Sequence, residues 1–285
     1  SIMESVDFAM SLSESPNPID SWLLARLREN QRNWMEAMSE VSLREGVMIS
    51  HFEMLSDWSW YVRRGGRDRS TAMSFLEGWI PMMAPATPHI AEEFWNKLGM
   101  DDLLAKLVMP DTGINPEDTR VISIENYIRQ IISTGRNLKS LAERHSEGDI
   151  TRAIIQTSPV WKSELAIEAI GLNSEGFDFK SQGTEHVRSM DIFNDDRIRT
   201  ELFQTWSSIT MGSKKKRGKV HLWSEGERDL ILSRIDESEV IIENSEFIAS
   251  SLGVDSLESY SAGEGEDVGG KAKVSFPLEP GIAFL

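Results

Sequence analysis

The chain has 285 residues, 40% of them apolar and nine of them tryptophan, enough for about two domains with real cores. Its formal net charge of −16 argues against indiscriminate nucleic-acid binding but leaves room for a local basic surface. The absence of cysteine excludes disulfide, zinc–thiolate and thiol chemistry, and no apolar run approaches the roughly 20 residues of a membrane span.

The start, Ser1-Ile2-Met3-Glu4-Ser5, has neither the pattern of a signal peptide nor an initiator methionine. It fits a processed or tagged terminus, or a fragment cut from a longer chain. Asn17-Pro18-Ile19-Asp20 then opens a long helix with Leu23, Leu27, Asn30, Trp34, Met38 and Val41 on one stripe. Arg26, Arg28 and Arg32 lie off that stripe or on its edge. Ser42 and Glu45 have capping-box spacing, so a second helix starts almost at once, antiparallel to the first. Its stripe is Met48, Phe52, Leu55 and Val62, widened by Trp58 and Tyr61. Gly65-Gly66 breaks the chain inside a cluster of Arg63, Arg64, Arg67 and Arg69. These cations suit the negative end of a helix; they equally suit a phosphate backbone.

Phe75, Leu76, Trp79 and Ile80 carry a third helix into the stretch 79–95. Pro81, Pro85 and Pro88 forbid a regular continuation, each lacking an amide donor and crowding the preceding turn. Thr87 as N-cap and Pro88 in the first helical position restart a helix, Glu92 and Glu93 follow near its positive end, and Gly99 suits its stop. The stretch is two helices joined by a proline elbow. Residues 101–107 form one further short helix and 109–122 a connection rich in Pro, Asp and Gly. Residues 123–148 form a last helix with Ile124, Ile128, Ile131, Gly135, Leu138, Leu141 and Ala142 inside.

The pattern changes after Gly148. Residues 150–157 read as a strand closed by Pro159, and 160–170 as a helix. Asp195 or Asp196 caps another helix with Ile198, Leu202, Trp206 and Ile209 inside. Ser224 and Glu227 form a second capping box leading to Leu230, Ile231 and Ile235. Residues 239–242 read as a strand, 244–252 as a short helix stopped by Gly253, and 272–276 and 282–285 as two strand-like pieces. The expected fold class is multi-domain: an all-α helical bundle over residues 1–148, then a small α+β domain over 149–285.

Candidate chemistry is sparse. His89, Glu92 and Glu93 share one helix, but a metal needs converging ligands and the familiar zinc helix carries two histidines, so a structural role near the elbow is expected. The glycine-rich run 263–271 lacks the following Ser or Thr of a phosphate loop and is acidic, which makes it a solvated linker. The densest basic run is Lys214, Lys215, Lys216, Arg217 and Lys219. On physics alone it is either a solubilising segment or a contact for an RNA backbone. His221 and Trp223 follow; they can stack on a base, although Trp223 suits a core better. No nucleophile–base–orienter set, Rossmann fingerprint or Walker loop is present, so no catalytic residue and no metal ligand is assigned. The residues alone point to a binding unit.

The elbow, Pro81 through Trp95 with Ala84, Pro85, Pro88, His89, Glu92 and Glu93, resembles the anticodon-binding domain of class I aminoacyl-tRNA synthetases of the leucyl, isoleucyl and valyl group. Asp20, Trp22, Leu23, Leu24, Arg26 and Leu27 resemble the opening helix of that domain, and Phe52, Glu53 and the run Trp60 to Arg64 its second helix. Ser158, Pro159, Val160, Trp161 and Lys162, with the tail Lys271 to Ile282, resemble the C-terminal region of archaeal and eukaryotic cytosolic leucyl enzymes. The tail departs from that pattern at Glu279 and Gly281, where a basic residue and alanine are expected, and no base contact is assigned to the tail itself. The resemblance covers nearly the whole chain but not a catalytic half: the H-I-G-H and K-M-S-K-S signatures are missing.

The resemblance implies the C-terminal part of an enzyme that joins leucine to its tRNA. ATP and magnesium would be held in a catalytic half outside this chain, and the fragment itself would be inactive and free of cofactor. In such enzymes the helical domain grips the tRNA body and the archaeal-type C-terminal domain meets the long variable arm. The implied partners are tRNA(Leu) and the missing catalytic half, with no membrane and no DNA, in the cytoplasm. The implied phosphate contacts are Arg63, Arg64, Arg67, Lys214, Lys215, Lys216, Arg217 and Lys219. The other readings are a helical protein–protein scaffold of a synthetase assembly, or the corresponding part of an isoleucyl or valyl enzyme.

Overall fold

The computed structural model describes residues 2–110, 112–144, 148–196, 198–212, 217–261, 265 and 267–285. After α1 (Ile2–Ser11), side chains that catch free amides start the next helix. Asn17 Oδ1 accepts from Ile19 N at 3.2 Å and Asp20 Oδ2 from Asn17 N at 2.6 Å, and α2 (Ile19–Ser39) follows. Leu23, Leu27, Asn30 and Trp34 are buried as expected, but Val41 is 75% exposed in a turn at φ 59°. Ser42 makes no capping bond to a backbone amide; its hydroxyl meets only the Glu45 carboxylate at 3.3 Å.

The second rod is α3 (Leu43–Val47), a π-helical turn (Met48–Glu53) and α4 (Met54–Arg63). The wide turn adds a residue and rotates the rod by about 100° relative to a plain helix. Met48 and Phe52, expected inside, are therefore 44% and 60% exposed, while Ile49, Ser50, Met54, Asp57, Trp58 and Tyr61 are buried. Ser50 O in this turn accepts from Trp79 Nε1.

Asp68 caps α5 (Arg69–Met83), accepting from Thr71 N at 2.9 Å. This helix runs through Pro81 instead of stopping before it. The proline forfeits one helical hydrogen bond, but Phe75, Leu76, Trp79, Ile80, Met82 and Met83 all lie in the core, and that burial outweighs the loss. The elbow lies over 84–87, and α6 (Pro88–Lys97) follows with proline in its first turn. The Thr87 hydroxyl turns back to Met83 O at 3.2 Å and does not cap α6. Gly99, at φ 84°, follows the helix end. Of 101–107 only Leu104–Lys106 is helical, as one 3₁₀ turn.

α7 (Pro116–Glu143) starts earlier than the expected residue 123, because Asn115 and Asp118 exchange amide bonds of 2.8 and 3.2 Å around Pro116. The chain forms two compact units, Ser1–Ile122 and Ser123–Leu285, which divide inside α7, whereas the sequence pattern changes at 148. In the first unit the core gathers Trp22, Trp58, Tyr61, Phe75 and Trp79, with Trp58 stacked on Phe75 at 5.8 Å. Within it Asp57 accepts from Arg26 Nε at 2.8 Å and Asn30 Nδ2 at 2.9 Å. Burial opposes the Arg26 charge, but the carboxylates of Asp57 and Glu29 outweigh it and raise its pKa.

In the second unit, α7 buries Ile128 and Ile131, and its Gly135 admits the Leu252 side chain, 2.7 Å from where a Cβ would stand; Leu141 is 50% exposed, not inside. β1 (Arg152–Gln156) is followed by α8 (Val160–Ser174), α9 (Phe179–Ser189), α10 (Arg199–Thr210), α11 (Glu225–Leu232), α12 (Glu237–Glu243) and α13 (Ser245–Leu252). The chain closes with β2 (Ser256–Tyr260), α14 (Lys271–Val274) and β3 (Gly281–Phe284). β1 lies in the middle of the sheet, parallel to β2 with Ile154 opposite Glu258, and antiparallel to β3 with Ile155 opposite Ile282. Leu202, Trp206 and Ile209 of α10 are buried, and its cap residue is Ile198 rather than Asp195 or Asp196. The Ser224–Glu227 capping box is formed and Gly253 ends α13 in the left-handed region. Residues 239–242 and most of 272–276, expected as strands, are helical in α12 and α14. The fold is a helical bundle with a small α+β part.

Candidate nucleic-acid interface

The first arginine cluster sits where α4 ends. Tyr61 fixes this end: its hydroxyl donates to Asp20 Oδ1 at 2.7 Å and accepts from Asp68 N at 3.1 Å. Burial, then Asp20, raises the pKa of the phenol. Gly66 lies against the ring, so closely that a Cβ would come within 2.2 Å of it. Arg63 is exposed, with its guanidinium 4.2 Å from the Trp60 ring centre, and Arg64 is half-exposed. Arg67 donates to Val62 O at 2.9 Å and Gly66 O at 2.6 Å and lies 5.1 Å from the Phe8 ring centre. It thus covers the carbonyls of the helix end, as the helix dipole favours, while its side chain stays exposed. Arg69 is spent on Met10 O at 2.6 Å and Leu12 O at 3.3 Å.

In the basic run, Lys214, Lys215 and Lys216 lie outside the described residues. Arg217 is exposed. Gly218 packs so tightly on the end of α10 that a Cβ would be 2.3 Å from Thr210 O. Lys219 is only 20% exposed: its Nζ pairs with the Glu279 carboxylate and lies 4.6 Å from the Phe276 ring centre. Trp223 is buried and His221 exposed, which gives the tryptophan its core role.

Lys162 is a residue the sequence did not single out chemically. It is 2% exposed, donating to Lys273 O at 2.6 Å and Ser275 O at 2.8 Å, with Nζ 5.0 Å from the Phe276 ring centre. Burial lowers its pKa, Glu201 opposes that and Lys273 adds to it. The two C-terminal segments that carried the resemblance, 158–162 and 271–282, are thus joined through one buried ammonium. A lysine just inside a helix start gave no local sign of this burial. Glu237 is likewise buried, accepting from Tyr127 Oη at 2.7 Å, beside a cavity of about 280 Å³ lined by Thr157, Ser158, Arg234 and Leu278 among others.

His89 is exposed, while Glu92 ties the segment beyond α6 by accepting from Leu104 N at 3.1 Å. Among the described residues no three His, Asp or Glu side chains are grouped to hold a metal, and no helix is long and apolar enough to cross a membrane. Of the glycine-rich run, residues 263, 264 and 266 lie outside the described residues; Asp267 accepts from Ala272 N at 3.1 Å.

Residues 20–154 match the family described as anticodon-binding domain of tRNA ligase, and so bear out the resemblance read from the elbow and the opening helix. The chain is similar to the leucine–tRNA ligase of Pyrococcus furiosus, 29% identical over 273 residues, covering 93% of this chain and 25% of the relative. It is similar to that of Methanococcoides burtonii, 29% identical over 275 residues, covering 94% of this chain and 27% of the relative. The enzyme of Methanococcus vannielii is 31% identical over 157 residues, 55% of this chain and 16% of the relative. The chain therefore spans about a quarter of the length of the first two relatives.

Proposed function

We propose, from an anticodon-binding domain followed by the α+β part found in archaeal leucine–tRNA ligases, that this chain is the tRNA-gripping part of such a ligase. Similarity over more than nine-tenths of the chain to enzymes of that one name carries the reading, and favours a leucyl enzyme over an isoleucyl or valyl one. The parent enzyme joins leucine to tRNA(Leu) in the cytoplasm. ATP and magnesium act in its catalytic half, a partner of this chain rather than part of it. The helical unit holds the tRNA body and the α+β unit meets the long variable arm.

The exposed Arg63 and Arg67, with Arg64, supply phosphate contacts from the first unit, and Lys214, Lys215, Lys216, Arg217 and Lys219 from the second. Such contacts give affinity and register; they do not read bases. A gel-shift titration tests this, using tRNA(Leu) transcripts with and without the long variable arm at two salt concentrations. Salt-sensitive binding that depends on the arm is expected, and replacing Lys214 to Arg217 by glutamine is expected to flatten the salt dependence by about 3 in log–log slope. Binding indifferent to salt or to those four charges would refute the assignment. A scaffold for other proteins would keep its partners through the same substitutions.

A further inference from the structure

The charge of Lys219 is already engaged within the chain. Its ammonium has the Phe276 ring at 4.6 Å and the Glu279 carboxylate in contact. The carboxylate is delivered by a rigid turn: Phe276 and Glu279 exchange backbone hydrogen bonds of 2.9 and 2.8 Å around buried Pro277 and Leu278. The segment before the turn is held by Lys162 through the carbonyls of Lys273 and Ser275. The carboxylate is therefore carried on a hydrogen-bonded turn whose approach is itself anchored. An ammonium lying near a ring, with an oxyanion against it, has the chemistry of an anion site with an internal anion in it.

We infer that Glu279 is a built-in competitor for RNA phosphate: it holds Lys219 in place of a phosphate and lowers the affinity of this surface for polyanions. The inference rests on the tRNA-binding reading and adds its regulation. A phosphate cannot approach Lys219 while the carboxylate is in contact without repulsion between the two anions. Glu279 is 46% exposed and its pair is screened by solvent, so the competition is modest, and releasing it is expected to tighten binding about two- to fivefold. Such a device trades affinity for selectivity, because a weakly bound polyanion cannot displace Glu279 and a well-registered one can.

The test is a gel-shift titration of the whole 285-residue chain with a tRNA(Leu) transcript carrying its variable arm, at two salt concentrations. The variants are Glu279→Gln, Lys219→Gln, the double substitution, and Glu185→Gln as an equal charge change at an exposed position of α9. Glu279→Gln is expected to bind about two- to fivefold tighter. Its salt slope is expected to steepen by just under one, about 0.7–0.9, as Lys219 gains a phosphate. The gain is expected to vanish when Lys219 is also replaced, and to be absent in Glu185→Gln. An equal gain in Glu185→Gln, or a gain that survives without Lys219, would overturn the inference by reducing it to bulk charge. Binding by the wild type with no change in Glu279→Gln overturns the inference alone. No binding by any variant overturns the tRNA reading with it.

Discussion

Replacing Glu237 by glutamine is expected to remove a pH dependence of stability from the second unit. The carboxyl is 8% exposed at the start of α12, accepting from Tyr127 Oη at 2.7 Å. Burial pushes its pKa from 4.5 up to about 7, against the hydrogen bonds from Tyr127 and the Leu278 amide, with the nearby charge of Asp236 adding to the rise. The interval between 4.5 and 7, at about 1.4 kcal/mol per unit, is about 3 kcal/mol. Below pH 4.5 the folded and unfolded states both hold the proton and the group costs nothing. As pH rises toward 7 the unfolded chain releases its proton first, so stability falls through this window and levels off above it. Tyr127, whose pKa is raised by burial and then by Glu237, keeps its proton throughout. Asp68, Asp118, Asp178, Glu164 and Glu258 have lowered pKa values and lose their stabilisation only as pH falls through those values, equally in both proteins. Urea unfolding from pH 4.5 to 8 measures the difference. Wild type is expected to lose about 3 kcal/mol more than Glu237→Gln between the ends of the window. Parallel curves would refute the reasoning, since they would mean that Glu237 titrates alike folded and unfolded.

Two backbone positions make opposite predictions. Gly66→Ala puts a methyl 2.2 Å from a ring that cannot retreat, held by Asp20 and Asp68 and packed on Trp58 at 5.7 Å; a loss of about 2 kcal/mol in thermal unfolding is expected, and an unchanged melting temperature would contradict the packing. Val41→Asn relieves a β-branched residue at φ 59° that is 75% exposed, and a gain of about 1 kcal/mol is expected; a lower melting temperature would show that the valine makes a contact that matters.

Legibility followed how local each signal was. The pair Asn17 and Asp20 around Pro18 announced α2, and Asn115 and Asp118 around Pro116 announce α7 in the same way, yet the second was read as connection because Pro110, Asp111 and Gly113 precede it. Asp236 and Glu239 repeat the spacing of the Ser224 box, and Asp236 does cap α12; the run Val240-Ile241-Ile242 suggested a strand only because its β-branched residues outweighed the cap. β2 was hidden for the opposite reason: Ser256-Leu257-Glu258-Ser259-Tyr260 is polar, as a strand at the sheet edge can be. The π turn at Met48–Glu53 had no local sign. One inserted residue put Phe52 outside and Met54 inside, while Leu55, Trp58, Tyr61 and Val62 kept their place in or against the core. At the candidate interface the cations themselves were legible, but the partners of Arg69 and Lys219 are carbonyls and a carboxylate brought from far along the chain.

That engagement decides what an acidic chain can do with few cations. Arg26 is held by Asp57 and Glu29, Arg28 by Asp118, Arg152 by Glu258, Arg234 by Glu164, Lys97 by Asp7 and Lys219 by Glu279. With 46 acidic residues against 30 Lys and Arg, carboxylates outnumber the cations they can engage. A cation in such a pair meets a phosphate only by giving up its carboxylate, so its net contribution to RNA affinity is smaller than its charge suggests. The consequence differs between the two proposed contact regions. In the first, Arg67 spends one nitrogen on uncharged carbonyls and keeps its full positive charge toward solvent. In the second, Lys219 faces a carboxylate that must move. Arg67 is therefore expected to contribute its full charge to a salt-dependent grip, beside that of Lys214 to Arg217, while Lys219 contributes less than its charge because Glu279 competes for it.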